Sequence, residues 1–232
     1  MNSSRPDMAS HIGTSSAVVR NRVLRNTYML LAVSMIPTIL GAWLGLATGL
    51  TQRLGSSPGL SAMVFLAGAF GLMFLIERNK NSSVGVVLLL AFTFFMGVML
   101  SRLLGFVMGM GNGTQLIMFA FGGTAAVFGV MASIASTTKR DFTGMQKFLF
   151  IGAGILILAA LANIFLQLPA LMLTVSVMAV AIFSAFLLVD LQRIINGGET
   201  NYISATLALY LNLYNIFSNL LLLLGVLGGD RD

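Results

Sequence analysis

The chain has 232 residues, of which 57% are hydrophobic and 9% charged, and its formal net charge is +6 at neutral pH. A soluble domain carries roughly a quarter charged residues, so this chain lacks the polar side chains to cover a surface in water and belongs in a bilayer. Its basic residues lie in short connectors, which argues for membrane topology rather than nucleic-acid binding, and the absence of cysteine excludes disulfides, thiolate nucleophiles and Cys-ligated metal.

Residues 1–25 are rich in Ser and Thr, hold the only histidine, His11, and have few large apolar side chains. That composition predicts a disordered tail. The first charge-free run, 26–52, contains an apolar stretch over 27–50. This is longer than the 7–15 residues of a signal-peptide core, so a retained span is expected. Runs 54–76 and 81–101 each supply one more, because a crossing takes about 20 residues at 1.5 Å rise. The run 103–138 opens on "GFVMGMGNGTQ", which reads as a glycine-rich connector and leaves one span over about 114–136. The stretch 148–189 is 42 residues without a charge, enough for two crossings. Gln167, Leu168 and Pro169 mark its turn, since proline removes a donor and disfavours helix in the residue before it. A last span follows in 200–229. The predicted fold is an all-α integral membrane protein of seven transmembrane helices, at about 27–50, 59–76, 83–104, 114–136, 148–166, 169–191 and 204–227. These form one membrane domain over 26–229, with a short end at 230–232.

Placing the N-terminus in the cytoplasm puts ten basic residues inside: Arg5, Arg20, Arg22, Arg25, Arg78, Lys80, Lys139, Arg140, Lys147 and Arg193. It leaves three outside, Arg53, Arg102 and Arg231. The positive-inside rule then predicts a cytoplasmic N-terminus and a C-terminus on the far side.

Gly41, Gly45 and Gly49 form GxxxGxxxG in the first span, a spacing that lets helix backbones approach closely. Intramolecular packing is the expected use, with a homodimer face as the alternative. The last span carries Asn212, Asn215 and Asn219 on one face. Amides facing lipid leave polar groups unsatisfied, so this stripe must meet protein. Interhelical hydrogen bonds, worth roughly 0.6–2 kcal/mol each, are the plain expectation, and a pore or proton path is the other. Asn163 and Gln167 read as similar glue.

Asp190 ends twenty charge-free residues of the sixth span. An ionisable residue within a span is costly and marks a functional candidate. The structural alternative is an interfacial carboxylate paired with Arg193 three residues on. Asn212 lies at a similar depth, within reach of a hydrogen bond to Asp190. No HExxH or phosphate-binding loop is present, and there is no second membrane carboxylate for an aspartyl pair. No enzyme activity and no cofactor are therefore expected.

"VLRNTY" (23–28), "GLMFL" (71–75), "ANIFLQLPAL" (162–171) and "GGETNYISATLALYLNLYNIF" (197–217) together resemble the Bax inhibitor-1 family, in its bacterial inner-membrane branch. The resemblance covers roughly 23–225. It implies a seven-helix fold whose last helix is central and wrapped by the other six. Some family members are pH-sensitive calcium leak channels, in which an aspartate ending the sixth helix pairs with one in the seventh and an arginine near the second helix's cytoplasmic end acts as a latch. Carried over, these positions are Asp190, Asn212 and Arg78. Asn212 departs from the pattern. Two close carboxylates share a proton because both cannot ionise cheaply, and an Asp–Asn pair has no such repulsion. A calcium ion at Asp190 would also lose one hard oxygen charge. The bacterial branch implies a different partner, the membrane protease FtsH, as modulator or slow substrate. A flexible N-terminal tail is a handle that an ATP-driven protease could grip. The expected partners are thus membrane lipid, the FtsH complex and possible calcium at Asp190, with no nucleic acid.

Overall fold

The structure, a computed structural model, describes residues 8–49 and 58–229, with side chains over 20–49 and 59–229. Seven long helices follow one another: α1 (Met8–Thr48), α2 (Pro58–Asn79), α3 (Ser83–Met108), α4 (Gly113–Thr137), α5 (Gln146–Leu166), α6 (Pro169–Ile195) and α7 (Tyr202–Gly228). A single 3-10 turn, Thr143–Met145, precedes α5. All seven are long and apolar enough to cross a membrane. Helix is the state such runs must take, because hydrocarbon offers no partner to an unpaired N–H or C=O.

Local chemistry sets the ends. Gln167 takes a left-handed φ of 51° just beyond α5, and its N–H bonds the Asn163 carbonyl at 2.9 Å. The Asn163 side-chain oxygen accepts the Leu168 N–H, also at 2.9 Å. Asn163 thus caps a turn rather than joining two helices. Pro169 then opens α6, where its missing N–H costs nothing. After α6, Gly197 at φ 77° turns the chain, and the N–H groups of Gly198 and Glu199 both reach the Arg193 carbonyl.

Two boundaries differ from expectation. α1 extends back to Met8, so helix occupies 8–25, where a disordered tail was predicted. A helix already formed in the apolar run propagates at little cost, and Val23 packs into the core. Residues 1–7 and the 230–232 end lie outside the described residues. α3 also runs on through Gly105 to Met108, shortening the predicted connector to the turn before α4. Val107 explains this, since it is fully buried against Leu116, Ala120 and Leu221.

Gly41 and Gly45 face α3. A Cβ built on Gly41 collides with the Phe94 carbonyl, and one on Gly45 with Ser101. Gly97 returns the contact, lying against the Thr38 backbone of α1. The glycine pattern therefore packs α1 on α3 within one chain. Gly49, at φ 61°, ends the helix. The main core gathers Val23 and Leu30 of α1, Ile76 of α2, Phe92 and Met96 of α3, Leu187 and Leu191 of α6, and Leu209 and Ile216 of α7. α7 packs on α6, α4, α1 and α3 and touches α2. α5 packs on α6, through Leu149 against Phe186 and Val189, and stands off from α7. The enclosure of the last helix thus includes five neighbours rather than six.

Candidate functional site

Asp190 sits in the last two turns of α6, and only 8% of its surface is exposed. Asn212, also buried, donates its side-chain N–H to Asp190 Oδ2 at 2.8 Å. The amide is thereby oriented toward the carboxylate, and one hydrogen bond joins α6 to α7. The other carboxylate oxygen, Oδ1, lies 3.9 Å from Arg193 Nη1. The same guanidinium reaches Glu199 Oε2 at 3.4 Å. Both alternatives posed by the sequence therefore meet here, a buried acceptor for α7 and an ion pair with Arg193. Arg78 is exposed in the last turn of α2 and forms no ion pair among the described residues.

The network continues from Glu199. Its Oε1 accepts the Asn201 N–H at 2.9 Å. Asn201 caps α7, its side-chain oxygen accepting the N–H groups of Ile203 and Ser204 at 2.9 and 3.2 Å. The Asn201 amide nitrogen bonds the Lys80 carbonyl and the Asn81 side chain, each at 2.9 Å. In the same turn the Glu77 carboxylate hydrogen-bonds Lys80 at 3.0 Å and raises its pKa above the usual lysine value. Gln192, 1% exposed, donates to the Arg140 carbonyl at 2.8 Å and accepts the Phe142 N–H at 3.0 Å. One side chain thus fastens the α4–α5 connector to α6. There, Thr143 donates to Asp141, through its hydroxyl and its N–H, and lowers that carboxyl's pKa. Asp190, Gln192 and Asn201 together tie all three turns at the basic end of the bundle.

Sequence reasoning missed Gln192. It is two residues past Asp190, about 200° round the helix, and its partners are backbone groups that no side-chain pattern marks. Of the α7 amides, Asn212 bonds across helices as expected, whereas the other two do not. Asn215 and Asn219 donate to the Leu211 and Asn215 carbonyls of their own helix, each at 2.8 Å. Beside the Asn212 bond, α7 reaches other helices through its tyrosines. The Tyr210 hydroxyl lies 3.0 Å from that of Thr38 and 3.4 Å from the Thr93 carbonyl, and Tyr214 donates to the Met96 carbonyl at 3.3 Å. Tyrosine's apolar body hides this role in a hydropathy reading.

Among the described residues no three of His, Cys, Asp or Glu come together. Among the described residues the site holds one buried carboxylate with an amide and a guanidinium. Seven spans and a single carboxylate bridging the last two define a multi-pass helical membrane protein with a polar lock at one end. The chain belongs to the Bax inhibitor-1 family: the family described as "Inhibitor of apoptosis-promoting Bax1" matches residues 20–229. It is 40% identical over 222 residues to the Escherichia coli K12 protein named "Modulator of FtsH protease YccA", covering 96% of this chain and 97% of that one. It is 39% identical over 218 residues to an uncharacterised Neisseria meningitidis protein, covering 94% and 96%. An uncharacterised Vibrio cholerae membrane protein is 39% identical over 210 residues, covering 90% and 92%.

Proposed function

We propose that this chain is a bacterial inner-membrane protein that binds an FtsH-type protease complex and restrains it, without enzymatic activity of its own. The N-terminus lies in the cytoplasm and the C-terminus in the periplasm, as the excess of basic residues at one end of the bundle favours. The observation that carries the reading is the end-to-end likeness to the E. coli modulator, over 96% of the chain. Two structural features support it. Val23 is the first core residue among those whose side chains are described, and the chain ahead of it serves in this reading as the handle. Behind it, glycine-tight helix packing and the polar lock across three turns resist extraction. The test is co-purification with FtsH and degradation of a membrane substrate, with and without residues 1–19. Deletion should release the restraint while leaving the bundle folded. An undiminished effect on proteolysis would refute the handle.

The burial of Asp190 favours a second reading, a pH-sensitive calcium or proton leak centred on Asp190 and Asn212. Flux from proteoliposomes between about pH 6 and pH 8 separates the two. Under the leak reading Asp190→Asn changes the flux and the N-terminal segment is dispensable. Under the protease reading Asp190→Asn leaves the restraint intact.

A further inference from the structure

The stand-off between α5 and α7 encloses a cavity of about 390 Å³, within the size range of small-molecule sites. Its walls are apolar, from residues such as Phe65 and Leu66 of α2, Ala160 of α5 and Phe183 of α6, and α7 lines it with Asn215 and Asn219. α2 and α5, which both line the cavity, pack only sparsely on each other. Each amide spends one N–H on its own helix. That bond fixes the amide's orientation, because the flipped form would set oxygen against carbonyl oxygen. Neither side-chain oxygen accepts a hydrogen bond among the described residues. The two stand one helical turn, about 6 Å, apart.

We propose that this cavity binds an uncharged membrane amphiphile whose head group donates hydrogen bonds to the side-chain oxygens of Asn215 and Asn219. Acceptors are what the cavity leaves unsatisfied, so its ligand must bring donors. At this depth a charged ammonium is expensive, which selects neutral hydroxyl or amide donors. Two adjacent hydroxyls are able to bridge acceptors one turn apart. The apolar walls then take a hydrocarbon chain, and entry is lateral from the bilayer.

The test uses the full chain in phosphatidylcholine nanodiscs, whose lipids carry no such donors. The probes are 1-monooleoylglycerol, with two hydroxyls, and methyl oleate, with none. Native mass spectrometry counts the probe retained per chain. The wild type should hold one monooleoylglycerol, about tenfold or more above methyl oleate, for two net hydrogen bonds. Asn215→Leu with Asn219→Leu should abolish that preference. Ala160→Phe, from the opposite wall, should expel both probes, and it keeps the test open if the double variant fails to fold. No retention by the wild type, equal retention of the two probes, or a preference that survives either set of substitutions would overturn the proposal.

Discussion

Gln192→Met removes both bonds from α6 to the α4–α5 connector while nearly preserving side-chain volume. A typical internal hydrogen bond contributes about 1 kcal/mol net, and a group left without a partner costs more. The two bonds here, 2.8 and 3.0 Å long, therefore hold the connector by about 1–3 kcal/mol. A loss of 1–2 kcal/mol multiplies the open population roughly 5–30-fold. Lys139, Arg140 and Lys147 place trypsin sites in and beside this connector, and Arg78 and Lys80 supply an internal reference at another turn. When opening is fast relative to cleavage, the rate follows the open population. In detergent micelles the Gln192→Met variant should be cut at 139–140 about tenfold faster than the parent, with cleavage at 78–80 unchanged. Gln115→Met, at an exposed position on α4, should behave like the parent. Equal rates at 139–140 in parent and Gln192→Met would show that these bonds carry no local stability, and the argument for a locked end would fall with them.

Asn201→Ala removes the α7 cap and the bonds to Lys80 and Asn81, and should cost about 1–2 kcal/mol, read as a lowered Tm with a fixed detergent. Gly41→Val drives a side chain into the Phe94 carbonyl and should destabilise by about 1–3 kcal/mol. Gly71→Val, with open space around it, should leave Tm nearly unchanged. The folded pKa of Asp141 is depressed, so its contribution to the 141–145 turn is complete above the ordinary carboxylate pKa and is lost as pH falls through the lowered value. Hydrogen exchange at the Thr143 amide, corrected for its intrinsic pH dependence, should stay flat between about pH 5 and pH 8 and gain relative rate only below about pH 4.

The seven helices are legible because charge-free runs of membrane-spanning length leave few alternatives, and because Pro169 after Gln167 divides the one ambiguous run. Asp190 stands out as the carboxylate that ends the longest such run, 148–189. Its contact with Asn212 follows from matched depth on two helices joined by a short turn. What stays hidden depends on backbone partners or on which helices fail to touch. Gln192 bonds main-chain groups of the connector, and nothing in the residue types of 140–142 announces that. The Asn215–Asn219 stripe does face protein, but the face it meets is a cavity left by α5, and hydropathy has no term for an absent neighbour. Helix ends shifted where a buried residue, Val23 or Val107, pulled irregular-looking sequence into the fold.

The polar lock also has a direction in time. Gln192 and Asn201 come from the C-terminal part of the chain, yet they fasten turns that leave the ribosome well before them. α1 to α5 enter the bilayer with the Phe142 N–H and the Lys80 carbonyl still lacking their native partners, and α7 arrives last to supply the Asn212 amide. The bundle is therefore sealed from its C-terminus, and a nascent or truncated chain without α7 exposes Asp190 and the inner face of α6. Arrival of α7, rather than insertion of any earlier span, is the step that completes the polar lock.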